Sequence, residues 1–108
     1  MINTRLLLQT KLESILGSKN VYFQPPDNKR LQYPCIVYAL EGVPSKYADN
    51  KQYTNTYSYS LTLIDYNPDT EFVDKLMSLP YIKFNRHFST QGLNHYVFTL
   101  HYKNEKEN

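Results

Sequence analysis

The chain has 108 residues, 41% apolar and 20% charged, enough for one domain of ordinary size and not for two. Twelve basic and 10 acidic residues leave a net charge of +2, too even a balance to indicate charge-driven binding to nucleic acid or to an anionic membrane. No apolar stretch approaches the ~20 residues that span a bilayer, and the single cysteine excludes an intramolecular disulfide. We therefore expect a soluble domain made in the cytoplasm.

The N-terminal segment predicts an amphipathic helix. Asn3 or Thr4 can cap its first turn, and Gly17 stands where helices commonly end in the left-handed conformation. Between them, apolar residues recur at the 3.6-residue period: Leu7, Leu8, Leu12, Ile15 and Leu16. We expect this stripe to pack on a core.

Strand signals follow the helix. Residues 21–24 favour a short strand, which closes at a turn over residues 25–28. Residues 33–40 are rich in strand formers, with Pro34 at the start or on an edge because proline cannot donate to the ladder. The polar residues 42–52 predict a long loop.

Residues 53–66 alternate strictly between large and small polar side chains. The large ones are Tyr53, Tyr57, Tyr59, Leu61 and Leu63, and between them lie Thr54, Thr56, Ser58, Ser60 and Thr62. Successive side chains of a strand point to opposite faces, so this pattern predicts a strand with one face on the core. The small polar face has two interpretations: a solvated surface with cross-strand threonine pairs, or the lining of a subunit contact or lumen.

A second helix and a hairpin complete the expected fold. Asn67 is the expected cap of the helix, Pro68 fits its first turn and Pro80 ends it. Two strands at residues 82–88 and 95–102 are joined through residues 89–94. In the second of them, Tyr96, Phe98, Leu100 and Tyr102 share a face, opposite His95, Val97, Thr99 and His101.

These elements predict an α+β fold over residues 1–103. It is a two-layer sandwich, an antiparallel sheet of about four strands with two helices on one face. The expected core includes Tyr57, Tyr59, Leu61, Leu63, Phe72, Leu76, Tyr96, Phe98 and Leu100. The polar tail, residues 104–108, is expected to fray.

The sequence contains no pattern of residues that indicates a catalytic, metal or cofactor site. His95 and His101 lie ~20 Å apart on one predicted strand, and His87 can approach His95 across the hairpin but has no third ligand beside it. We interpret the histidines as surface residues. Mid-strand Cys35 is interpreted as a buried core residue rather than a nucleophile, and Asp65 as a turn or capping residue. The chain is therefore not expected to be an enzyme.

Several short motifs, in order over about two thirds of the chain, carry a resemblance to a known family. They are Tyr33-Pro34-Cys35-Ile36-Val37-Tyr38, Tyr47-Ala48-Asp49-Asn50 and Tyr53, Leu63-Ile64-Asp65 with Pro68-Asp69, Leu79-Pro80, Phe84-Asn85-Arg86-His87-Phe88, and Leu93-Asn94-His95-Tyr96-Val97-Phe98-Thr99-Leu100. Together they resemble small head–tail joining proteins of phages and prophages of Gram-positive bacteria, called minor capsid, tail completion or tail terminator proteins.

The resemblance implies a structural role without a cofactor. Tail terminators of long-tailed phages form a hexameric ring at the head-proximal end of the tail tube, where they end polymerisation and join tail to neck. The implied partners are further copies of the chain, the tail tube protein, neck or connector proteins, and genomic DNA that passes through the lumen without sequence-specific binding. The implied location is the virion neck, with no membrane partner. A head–tail adaptor or stopper is the alternative.

Two polar segments are the candidate contact residues, because core packing does not require them where they lie. Tyr47, Ala48, Asp49 and Asn50 are expected in a loop that reaches the tail tube or a neighbouring subunit, with a flexible hairpin tip as the alternative. Asn85, Arg86 and His87 are expected at the ring interface or a neck contact. A small nucleic-acid-binding module is a further alternative, disfavoured because the aromatic residues are predicted on the helix-covered face with no basic cluster beside them.

Overall fold

The computed structural model describes residues 4–43, 45–46, 53–54 and 56–103. These residues form helices α1 (Thr4–Leu16) and α2 (Phe72–Met77). Their strands are β1 (Val21–Phe23), β2 (Cys35–Gly42), β3 (Ser45–Lys46), β4 (Tyr53–Thr54), β5 (Thr56–Asp65), β6 (Ile82–Thr90) and β7 (Leu93–Lys103). The main sheet has the order β1-β2-β5-β7-β6, and β3 pairs with β4 in a separate ladder.

The fold class is α+β, as the sequence predicts, but the sheet differs in two details. It has five strands rather than about four, and β1 runs parallel to β2 while the other neighbours are antiparallel. Parallel neighbours need a crossover connection. Residues 24–34 supply it by returning the chain to the end of the sheet where β1 began.

One face of the main sheet carries both helices and is called the covered face here. Its buried cluster joins α1, α2 and strands β1, β2, β5 and β7: Leu8, Leu12, Leu16, Val21, Ile36, Tyr38, Tyr59, Leu61, Leu63, Leu76, Leu79, Tyr96, Phe98 and Leu100. Of the expected core residues, Tyr57 and Phe72 are only partly buried and pack against this cluster. The others are buried.

Helix α1 ends where the sequence predicts, but its buried stripe is narrower. Gly17 has φ +79°, and its N–H donates to the Glu13 carbonyl at 2.8 Å. Leu8, Leu12 and Leu16 are buried, whereas Leu7 is 40% exposed. The expectation for Leu7 was wrong because, at ~100° per residue, it points well to one side of the line through the other three leucines.

Helix α2 is shorter than predicted, and Asn67 does not cap it. The Asn67 side-chain oxygen accepts from the Asp69 N–H at 2.9 Å, and the Asp65 carboxylate accepts from the Asn67 N–H at 3.1 Å. Such local side-chain bonds compete with helix formation, so residues 67–70 form turns and the helix begins only at Phe72. The turn role expected for Asp65 is confirmed.

The hairpin of β6 and β7 is longer than predicted. Residues 89–94 were expected as a loop, but only Gln91 and Gly92 connect the strands, with φ +55° and +78°. Two positive φ values in a two-residue connection are the signature of a type I′ turn. In residues 42–52, predicted as a loop, Ser45 and Lys46 pair with Thr54 and Tyr53.

Candidate interaction surface: the open face and the free edge of the sheet

The second face of the main sheet is called the open face, because both described helices pack on the other side. Strand register aligns its side chains in rows across β2, β5, β7 and β6. The first row is Cys35, Ile64, His95 and Phe88; the second is Val37, Thr62, Val97 and Arg86; the third is Ala39, Ser60, Thr99 and Lys83. Gly42, Ser58 and His101 form the last row, so the face changes from aromatic and apolar at one end to small and polar at the other.

The aromatic end is built from stacked rings. The Phe88 and His95 rings stack with centroids 4.6 Å apart, and the Arg86 guanidinium lies 5.5 Å from the Phe88 centroid. Tyr33 and Tyr66, which stand two residues beyond Cys35 and Ile64, form an edge-to-face pair at 5.6 Å. Stacked and edge-to-face arrangements of rings are favourable, so contacts between the rings stabilise this end of the face, which neither described helix covers.

Cys35 lies in the first row and is fully buried. Burial raises the pKa of its thiol to about 12, so the sulfur stays protonated at neutral pH. A protonated, inaccessible thiol is a poor nucleophile and a poor metal ligand. The interpretation of Cys35 as a buried residue is confirmed, although it lies beneath the open face rather than in the helix-covered cluster.

The polar end of the open face holds small side chains that bond to one another across strands. Ser58 Oγ and His101 Nδ1 are 3.2 Å apart, and the Asn85 amide donates to Thr99 Oγ1 at 2.7 Å.

A β-bulge in β6 decides where the histidines lie. The register shifts between Phe84 and Arg86, so His87 stands opposite Tyr96 on the covered face while Phe88 stands opposite His95 on the open face. His87 therefore does not approach His95. The His87 ring stacks on Tyr96 at 4.7 Å, and its Nε2 lies 3.1 Å from Asn94 Oδ1. Among the described residues, no three His, Cys, Asp or Glu side chains are placed to hold a metal ion.

The two edges of the sheet differ in accessibility. Strand β1 has three residues, and the Gln9 side-chain amide of α1 donates to the Val21 carbonyl at 2.9 Å. Strand β6 has nine residues, and every side chain from Lys83 to Thr90 is exposed. An edge strand presents unpaired N–H and C=O groups that can pair with another chain. We call β6 the free edge.

The predicted contact residues divide between described and undescribed parts of the chain. Asn85, Arg86 and His87 all lie on the free edge, at or next to the bulge, and all three are exposed. Tyr47, Ala48, Asp49 and Asn50 lie outside the described residues.

Sequence reasoning missed the aromatic residues of the open face, among them Tyr22, Tyr66 and Phe88. Tyr22 stands opposite Val37 and lies beneath Lys29, whose Nζ is 5.5 Å from the ring centroid. Tyr22 lies on the open face because side chains alternate along β1, and Phe88 lies there because the bulge in β6 shifts the alternation. A bulge leaves no mark on a periodic pattern, but the alternation Val21-Tyr22-Phe23 could have indicated that Tyr22 points away from the covered core.

No protein-family model, curated protein or solved structure matches this chain significantly. None of the helices in the described part of the chain is long and apolar enough to cross a membrane.

Proposed function

We propose that this chain is the subunit of a phage tail terminator ring. Six copies would cap the head-proximal end of the tail tube, end tube polymerisation and join the tail to the neck while DNA passes through the lumen. The proposal starts from the sequence resemblance to tail terminator proteins. The structural observation that supports it is the free edge, a nine-residue exposed edge strand, whereas at the opposite edge the three-residue β1 already accepts a hydrogen bond from α1.

The two unlike edges favour a particular symmetry. A subunit contact in which two different surfaces meet is heterologous, and heterologous contacts generate closed rings when the rotation closes. Because Gln9 already occupies the Val21 carbonyl of the β1 edge, we expect β6 to be the surface through which each subunit accepts an extended segment of its neighbour. Lys83, Arg86 and the bulge are features that protect an edge from indiscriminate pairing.

The free edge also has apolar groups on both sides of its backbone. Phe84 contacts Phe98 edge-to-face at 5.6 Å on the covered side, and Phe88 lies on the open side, with exposed fractions of 42% and 40%. Strand addition takes its affinity from main-chain hydrogen bonds and its specificity from flanking side chains. Phe84, Arg86 and Phe88 are therefore the expected specificity contacts.

The first experiment is the mass of the purified protein across concentrations, measured by light scattering, with electron microscopy of large species. Six copies of a 12.8 kDa chain have a mass of about 77 kDa. We expect a hexamer with a central hole, or a monomer that becomes one when tail tubes are added. A strict monomer or dimer that ignores tail tubes would contradict the proposal.

Ser89→Pro tests the contribution of the free edge. The turn pairs Thr90 with Leu93, and hydrogen-bonded and non-bonded pairs alternate along an antiparallel ladder, so the Ser89 N–H points away from β7. Proline there removes an outward donor while the internal ladder remains intact. We expect Ser89→Pro to remain folded by circular dichroism and to fail to form rings, whereas the control Ser89→Ala forms them.

Arg86→Glu tests the same edge through charge. Arg86 is exposed on β6, so reversing its charge should leave the monomer folded and impair ring or tail assembly. Lys11→Glu makes the same change in charge on the exposed side of α1 and should assemble normally. Unchanged assembly of both Arg86→Glu and Ser89→Pro would remove β6 from the interface.

A head–tail adaptor or stopper of the same neck would have the same kind of ring contact. These alternatives differ in the partner that the ring binds. Co-sedimentation with purified tail tubes supports a terminator, and binding to portal rings without binding to tubes supports an adaptor.

A further inference from the structure

Aromatic rings on the open face are accessible to a flat ligand. Tyr66 is 62% exposed and Phe88 is 40% exposed. Tyr22, at the opposite side of the sheet on β1, is partly buried, and its hydroxyl accepts from the Gln32 N–H at 3.3 Å. Five strands at ~4.8 Å spacing place β1 and β6 about 19 Å apart. The width of the face therefore accommodates several consecutive planar groups.

Cations accompany these rings. Lys29 Nζ lies 5.5 Å from the Tyr22 centroid, and the Arg86 guanidinium lies 5.5 Å from the Phe88 centroid. Lys83 stands in the third row of the same face. This basic surface is local, because it belongs to a chain whose net charge is only +2.

Carboxylates are scarce on the strands that build the face. Strands β6 and β7 contain no Asp or Glu, β5 contains only Asp65, and β2 contains only Glu41. Asp65 alternates onto the covered side and accepts from the Asn67 N–H. Glu41 lies at the bulge of β2, at the polar end of the sheet. The strands at the aromatic end thus place Arg86 beside the rings without a carboxylate on the open face, while Lys29 lies in the connection between β1 and β2, two residues from Asp27.

We propose that the open face binds single-stranded nucleic acid without sequence specificity. Bases stack on Tyr22, Tyr66 and Phe88, and phosphates are neutralised by Lys29, Lys83 and Arg86. Every base has an aromatic face, so stacking accepts any sequence, and cations beside the rings attract the phosphate backbone. A duplex has no free base faces to offer, and an apolar protein partner would leave the three cations buried without counter-charges. Arg86 and Phe88 lie on the free edge and are shared with the proposed ring contact, whereas Tyr22, Lys29 and Tyr66 lie outside β6 and test the face separately from the ring.

The test is fluorescence anisotropy with a 5′-fluorescein-labelled oligothymidine of 20 nucleotides at low salt. For about three neutralised phosphates, the logarithm of the binding constant should fall with the logarithm of salt concentration with a slope of about −2. We expect Tyr66→Ala and Lys29→Glu each to weaken binding by about tenfold. Neither residue lies on β6, so ring assembly should be unchanged in both variants.

Matched controls separate stacking and local charge from general effects. Tyr66→Phe keeps the ring and should bind as the wild type does, and Lys11→Glu, on α1, should also bind normally. The proposal is overturned if the wild type does not bind the oligothymidine, if a 20-base-pair duplex binds as tightly, or if Lys11→Glu weakens binding as much as Lys29→Glu. A ring that does not bind the oligonucleotide overturns only this proposal. A binding-competent monomer that never assembles on tubes overturns only the proposed ring.

Discussion

Gln91 and Gly92 show how single residues set the β6–β7 hairpin. Both adopt positive φ, which glycine tolerates and most other residues do not. A Cβ added at Gly92 would have no heavy atom within 4 Å, so only the backbone conformation requires glycine there. The turn is a local determinant of register for the whole free edge.

Gln91→Asn should stabilise the protein and Gly92→Ala should destabilise it. Asn-Gly is the preferred pair for a type I′ turn, and asparagine tolerates the left-handed region better than glutamine. We expect a gain of about 0.5 kcal/mol for Gln91→Asn and a loss of about 1 kcal/mol for Gly92→Ala in the free energy of unfolding. Urea denaturation measures both. Equal stability of the two variants would show that the turn conformation does not limit stability.

At the scale of whole elements, side-chain hydrogen bonds attach helix α1 to the sheet. The Tyr38 hydroxyl donates to Gln9 Oε1 at 2.6 Å, and Gln9 Nε2 donates to the Val21 carbonyl at 2.9 Å and lies 3.0 Å from a Glu13 carboxylate oxygen. Arg5 Nη1 donates to the same Tyr38 hydroxyl at 3.3 Å. These bonds connect the helix to β1 and β2, and one of them occupies the Val21 carbonyl at the β1 edge.

Gln9→Leu should therefore destabilise the protein by about 1–3 kcal/mol, because it leaves the Tyr38 hydroxyl and the Val21 carbonyl without this partner. Tyr38→Phe should cost about 1 kcal/mol. Because the two residues are bonded, we expect the double variant to cost less than the sum of the single ones. Strictly additive effects in urea denaturation would mean that the bond contributes no coupling.

Strand β6 should show alternating amide exchange if its outer side is unpaired. By the alternation of an antiparallel ladder, the N–H groups of His87 and Ser89 point outward while those of Phe88 and Thr90 bond to β7. We expect hydrogen exchange, read by NMR on the monomer, to be fast at the first pair and slow at the second. Protection of His87 and Ser89 in the assembled ring would then locate the subunit contact, and equal protection in the monomer would contradict a free edge.

Several buried acids make the stability of the whole molecule sensitive to high pH. Burial raises the pKa of Cys35 from 9.0 to about 12 and that of Tyr59 from 10.0 to about 12, and it raises the pKa values of Tyr38 and Tyr96. The unfolded chain loses these protons at lower pH than the folded one does. The stabilisation is thus complete below about pH 9 and is lost as the pH rises toward 12.

We expect the free energy of unfolding to fall above pH 9, by about 1.4 kcal/mol per pH unit for each group that is ionised only in the unfolded state. The thiol begins to titrate before the tyrosines, so Cys35→Ala should flatten the first part of this decline. Urea denaturation at successive pH values measures the slope. An unchanged slope in Cys35→Ala would show that the thiol is not responsible.

Local sequence patterns determined the elements and their facing. The alternation through Tyr57, Tyr59, Leu61 and Leu63 specifies which side of β5 meets the helices, since side chains along a strand alternate with a period of two. Leu8, Leu12 and Leu16 specify the buried line of α1 in the same way, with a period of 3.6. Burial of apolar surface enforces both patterns, and for that reason the α+β class and most of the core could be predicted.

Only the tertiary structure decided which residues lie on the free edge and on the open face. Parallel pairing of β1 depends on the path of residues 24–34. The bulge beside Asn85 places His87 on the covered face and Phe88 on the open face. Neither the parallel pairing nor the bulge produces a periodic pattern in the sequence. Both follow from the register between strands that are distant in the chain and from which backbone groups find hydrogen-bond partners. The sequence could therefore identify Asn85, Arg86 and His87 as polar residues without a core role, but the sheet placed them on its free edge and brought Tyr22, Tyr66 and Phe88 to the open face.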